Sequence, residues 1–177
     1  MITFKAHFIN NTTVQRKKNN KQFENVNVSF VQLNPKSAND IKALYEIDKE
    51  WWSFKTYAND IRLAFLNDYE PSAKTYAVTT QKDHFEKLNP DEVLGLAYVV
   101  DETAQDRVIL EYLQADPSNK HAAAMATFKR IGSSIIKSLS KIYENNEMIL
   151  TPKKTAEPFY EKLGFKWNSA GLLTKKL

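Results

Sequence analysis

Two apolar runs on either side of a short polar turn constrain this chain more than any other feature. EVLGLAYVV (residues 92 to 100) and RVILEYLQ (107 to 114) are apolar at consecutive rather than alternate positions, as strands covered on both faces are. DETAQD between them has hairpin length. A chain built on such a pair needs a layer of structure on each side of its sheet. The material for two layers is present, since hydrophobic residues make up 42% of the chain and aromatics 12%. With 177 residues the simplest organisation is one domain over 1–177, residues 1–24 forming an N-terminal extension.

The remaining segments fit around that pair. ITFKAHFI (2 to 9) reads as a short strand, 10 to 22 as a polar loop, and VNVSFVQL (26 to 33) as a strand closed by Pro35. Ser37 then caps a helix with Asp40 at its third position and Ile41, Leu44, Tyr45 and Ile47 as its apolar face. A second helical pattern over 54–67 carries Tyr57, Ile61, Leu63, Ala64 and Leu66, and TYAVTT (75 to 80) reads as a strand. A helix over 127–143 shows Ile131, Ile135, Leu139 and Ile142 on one stripe, followed by the strand EMIL (147 to 150). The step from 107–114 through that helix to 147–150 has the length of a parallel, right-handed crossover. FYEKLGF (159 to 165) ends a helix, with Gly164 as its stop, and two short strands at 165–168 and 171–176 close the chain. The expected fold class is α/β of the α+β type: a single mixed, mostly antiparallel sheet of about six to seven strands, flanked by helices on both faces.

Several classes of function are excluded by composition. The absence of cysteine removes disulfides, thiolate zinc sites and a cysteine nucleophile together. No apolar run approaches the roughly 20 residues of a membrane span, and the first residues lack a signal-peptide core, so the expected setting is cytoplasmic. The net charge is +4, and the densest basic stretch is QRKKNNK (15 to 21). It has no interleaved aromatics, so a solvated loop is the better reading than a nucleic-acid patch.

Chemistry is carried by few residues. Glu111 sits inside VILEYL with apolar neighbours on every side. A carboxylate there must pair with a cation, face a cleft, or hold its proton. It is either a general base or a structural ion-pair partner. KRIGSSI (129 to 135) places Lys129, Arg130 and Gly132 at a predicted helix start, where free N–H groups suit an anion and a glycine lets a ligand approach. Trp51 and Trp52 in EWWSF are either core or a ligand wall. Tyr160 stands beside the apolar stripe of its helix, as an exposed functional phenol or as packing at a sheet edge.

Taken together these segments resemble the GNAT superfamily of N-acetyltransferases, most clearly over residues 92 to 167. Three motifs carry the resemblance: A-x-x-F-Y-E-K-L-G-F (Ala156 to Phe165), L-E-Y-L-Q-A-D-P (110 to 117), and KRIGSSII, which is similar to the family's R/Q-x-x-G-x-G/A signature. Thr127 stands where Arg or Gln is usual, Arg130 where the first glycine is usual, and Lys153 where many members have asparagine. The loop from Pro117 to Gly132 is longer than the common version. The resemblance implies an acyl-CoA N-acyltransferase-like fold, acetyl-CoA as co-substrate and no metal. It implies transfer of an acetyl group to a primary amine of a small molecule or protein by direct attack on the thioester. Glu111 would deprotonate the amine and Tyr160 would protonate the departing thiolate. Backbone groups of Leu113, Gln114 and Ala115 would pair with the pantetheine arm, Leu113 also polarising the thioester carbonyl. Amides of Arg130, Ile131, Gly132 and Ser133, helped by Lys129, would hold the pyrophosphate. Trp51, Trp52 and Tyr57 would meet the acceptor. A homodimer is compatible with this reading, and the alternative is a non-catalytic acyl-CoA-binding regulatory or interaction module.

Overall fold

The computed structural model describes residues 5–19, 22–54, 56–67, 70–117 and 127–177. The part of the extended loop from Ser118 to Ala126 lies outside them. In chain order the elements are β1 (His7–Lys17), β2 (Phe23–Gln32), α1 (Ala38–Trp51), α2 (Ala58–Asn67), β3 (Ala73–Thr79), β4 (Val93–Glu102) and β5 (Arg107–Ala115). They continue with β6 (Phe128–Lys129), α3 (Ile131–Ile142), β7 (Glu147–Leu150), α4 (Glu157–Lys162), β8 (Lys166–Trp167) and β9 (Leu173–Lys176). The described strands form one nine-stranded sheet in the order β6-β1-β2-β3-β4-β5-β7-β9-β8. That is more than the six to seven expected. All neighbours are antiparallel except β5 and β7, the parallel pair that the crossover through α3 required.

Burial on both faces is why β4 reads as a continuous apolar run, while β5 buries Val108 and Leu110 on one face and half-buries Ile109 and Tyr112 on the other. Ala97 and Val99 of β4 enter one core with Ile135 and Leu139 of α3, and Tyr160 of α4. Leu96, Tyr98 and Val100 enter the other, with Leu44 and Ile47 of α1 and Ile61 and Phe65 of α2. Ser37 caps α1 as its position suggests, its hydroxyl accepting from the Asp40 N–H at 3.2 Å. The apolar faces differ in detail from the expected ones. Tyr45, Leu63 and Leu66 are exposed, and Ala43, Trp51 and Phe65 take core positions instead.

Two sequence expectations fail at the N-terminal edge. Residues 10 to 17 are strand rather than loop, paired with β2 from end to end. Only Thr12 and Val14 of that stretch are buried, so its polar residues are the outward half of an edge strand. The helix expected from 127 begins instead at Ile131. Phe128 and Lys129 form β6, which pairs with Gln15 and Arg16 of β1, and the Lys17 N–H donates to the Thr127 carbonyl at 2.7 Å. The N-terminal hairpin is thereby joined to the segment that starts α3.

Candidate active site

β5 and β7 pair only over Arg107–Ile109 and Glu147–Ile149. Past that point β7 ends at Leu150 while β5 continues to Ala115, so one edge of β5 is left without a neighbouring strand. The direction of its backbone groups follows from register. The Asp116 N–H donates to the Leu94 carbonyl at 2.8 Å, which makes that a hydrogen-bonded antiparallel pair. Such pairs alternate along a ladder. Gln114 and Tyr112 therefore bond to Leu96 and Tyr98, whereas Leu113 and Ala115 turn their N–H and C=O groups to the open edge. The Ala115 carbonyl is taken by the Gln114 side chain at 2.6 Å, and the same side chain accepts from the Tyr57 N–H at 3.1 Å. This contact ties the start of α2 to β5.

A cleft of about 500 Å³ occupies the gap. Glu111 lines it for a specific reason. Tyr98 faces Tyr112 while Val99 faces Leu110, so Glu111 is the extra residue of a β-bulge, a device that re-aims side chains beside functional sites. The carboxylate is exposed to the cleft and takes part in none of the described ion pairs. Glu111 faces the cleft and forms no buried ion pair among the described residues. Across the cleft stands Tyr160, 8% exposed, with Phe159 and Phe165 edge-on to its ring. Burial, with a smaller contribution from Tyr57, pushes its phenol up to about 12. It therefore keeps its proton across the neutral range.

The start of α3 borders a second cavity, lined among others by Lys129, Arg130, Ile131, Gly132 and Ser133. Ala115, Gly132 and Phe159 line both cavities, so the two form one trough from the helix start to Tyr160. The N–H groups of Ile131, Gly132 and Ser133 are among those a helix leaves unpaired. Gly132 is small for a packing reason: a Cβ there would lie 3.0 Å from Phe159 Cζ and 3.7 Å from Leu113 Cδ2, at the junction of the cavities. Arg130, the N-cap, has φ 64 and ψ 21. This left-handed conformation is held by a residue that bears a side chain, at the position where the resemblance expects a glycine. Lys129 differs from expectation. It lies in β6, with its Nζ 3.9 Å from the centre of the Phe23 ring, rather than in the first turn of the helix.

The aromatic residues divide. Trp51 is 3% exposed and packs in the core under α1, so it is not part of the cleft wall. Trp52 is exposed and borders a separate cavity with Asp48 and Asp60. Tyr57 lines the cleft, its ring tilted 49° against that of Tyr112 with centroids 5.3 Å apart. The sequence reading assigned no site role to Lys153. Its Nζ lies 4.2 Å from the centre of the Tyr57 ring, and it lines the same cleft. The only sequence signal for it was the departure from the family's asparagine.

No family model matches the sequence, and no curated protein sequence matches it. Solved structures do match. A protein from Lactobacillus plantarum, assigned as an N-acetyltransferase, aligns over 80% of this chain and 93% of its own at 12% identity, with a TM-score of 0.53. A protein from Desulfovibrio desulfuricans assigned to the GNAT family aligns over 83% and 94% at 14% identity, TM-score 0.51. A mutant of the AtaT toxin, solved with the C-terminus of the antitoxin AtaR and acetyl-CoA, aligns over 84% and 92% at 13% identity, TM-score 0.51. The fold is that of the GNAT acetyltransferases. The trough is suited to an extended ligand with an anionic end, because unpaired helix amides lie at one end and the open edge of β5 runs along its length.

Proposed function

We propose that this chain is an acetyl-CoA-dependent N-acetyltransferase that moves an acetyl group to a primary amine. The observation that carries the proposal is the open edge of β5, running between Glu111 in its bulge and the protonated Tyr160. Acetyl-CoA supplies the acetyl group as a thioester. The amides of Ile131, Gly132 and Ser133 would receive its pyrophosphate, and the outward groups of Leu113 with the Ala115 N–H its amide-bearing arm. The Leu113 N–H would donate to the thioester carbonyl, where negative charge develops during attack. Glu111 would take a proton from the acceptor ammonium, directly or through water, leaving the nitrogen lone pair free to form the new C–N bond. Tyr160 would give its phenolic proton to the sulfur as the C–S bond breaks, and the second proton shed by the nitrogen after C–N bond formation would return through water to the phenolate. Support comes from the match to a fold that holds acetyl-CoA in the AtaT structure.

Titration of the purified protein with acetyl-CoA by calorimetry, followed by a screen of amine acceptors, tests the reading. Saturable binding with turnover that falls in Glu111→Gln and Tyr160→Phe is the expected result. Binding with no turnover on any amine would instead favour a regulatory module, and absence of binding at millimolar ligand would remove the coenzyme from the account altogether.

A further inference from the structure

Among the described residues that line the main cleft, two carry charge: Glu111 and Lys153. Both are exposed, and neither belongs to any of the described ion pairs. Opposite charges that share a cleft without joining each other are complementary to a ligand that carries both signs. Lys153 is held in place by the Tyr57 ring beneath its ammonium. Thr56, Thr151 and Thr155 also line the cleft and can add hydroxyl donors. An anion at Lys153 would not be a phosphate of the coenzyme, because Lys153 does not line the cavity at the start of α3, where those groups would lie.

We infer that the acceptor is a small aminocarboxylate, its ammonium directed to Glu111 and its carboxylate to Lys153. The inference rests on the acetyltransferase reading above and narrows it. A carboxylate also gives the cleft a means of discrimination, since an amine without one leaves Lys153 unmatched. The Trp52 cavity offers a dication little, since its Asp48 is already paired with Arg62 at 2.7 Å, and a second positive charge entering the main cleft would meet Lys153.

The test uses matched pairs of amines: phenylalanine with phenethylamine, tyrosine with tyramine, and leucine with isoamylamine. Affinities are measured by calorimetry on the full chain with coenzyme A present, and N-acetyl product is followed separately by mass spectrometry. The expected result is that at least one aminocarboxylate binds roughly tenfold more tightly than its partner amine, as a charge-assisted contact provides. That ratio falls to near one in Lys153→Gln and is kept in Lys153→Arg. Equal or inverted affinities in the unaltered protein overturn the inference, as does a ratio unchanged in Lys153→Gln or no binding by any pair. A binding preference with no acetylated product would sink the transferase reading while leaving the carboxylate site in place.

Discussion

At the scale of single residues, the Tyr160 phenol, raised to about 12 by burial, still has a proton to give well above neutral pH. Tyr160→Phe is expected to lower kcat by about a hundredfold or more while leaving the calorimetric Kd for acetyl-CoA unchanged. A parallel loss of coenzyme affinity would make the phenol a packing group instead. In the unaltered protein, any alkaline fall in kcat below about pH 10 should trace to another group. Arg130 poses a different question, since a side-chain-bearing residue in the left-handed region costs about 1 kcal/mol or more. Arg130→Gly should raise the urea midpoint slightly, part of the gain being offset by glycine's larger unfolded-state entropy. Arg130→Ala, which keeps a Cβ, should show no such gain. If both variants respond alike, backbone strain at this position is not what limits stability.

Between elements, α3 packs closely on the sheet at Gly95. A Cβ on Gly95 of β4 would lie 2.7 Å from Ile131 Cγ2 and 3.1 Å from the Gln114 carbonyl oxygen. Gly95→Ala is therefore expected to cost about 1–3 kcal/mol, and to weaken coenzyme binding by shifting the first turn of α3. Thermal melts and calorimetry check the two parts independently. This junction also shows what a sequence can convey. β4 and β5 were legible because double-sided burial writes unbroken apolar runs, and Ser37 because capping is local chemistry. The second half of β1 was not, since only Thr12 and Val14 of it turn inward. β6 was not, because two residues become a strand only through a partner distant in the chain. The same division runs through the site. Glu111 and Tyr160 stood out as polar residues among apolar ones, whereas Lys153 gained meaning only when folding set it over Tyr57. Trp51 and Trp52 are adjacent in sequence and could not be told apart until helix geometry sent one into the core and the other to the surface.

For the whole molecule, alkaline stability depends on tyrosines that bridge the sheet and α3. The hydroxyls of Tyr76 in β3 and Tyr143 after α3 lie 3.0 Å apart, and burial raises both above the ordinary tyrosine value. Because the folded state binds these protons more tightly than the unfolded state, their contribution is complete below about pH 10 and declines as pH rises toward the folded values. Urea midpoints should therefore drop above about pH 10, and less steeply in Tyr143→Phe; an identical slope in that variant would assign the drop to other groups. The pairing of β1 with β6 has a consequence for the order of assembly. It joins Gln15 to Lys129, so that ladder closes only after both segments have been synthesised, and closing so long a loop carries an entropic cost that a local hairpin does not. During refolding, the central hairpin of β4 and β5 can form early from local contacts. The segment that starts α3 would be anchored only in the last phase. A newly made chain would thus have its secondary structure before the proposed coenzyme site was complete. A stopped-flow experiment that follows circular dichroism and ligand binding together should find the second signal trailing the first.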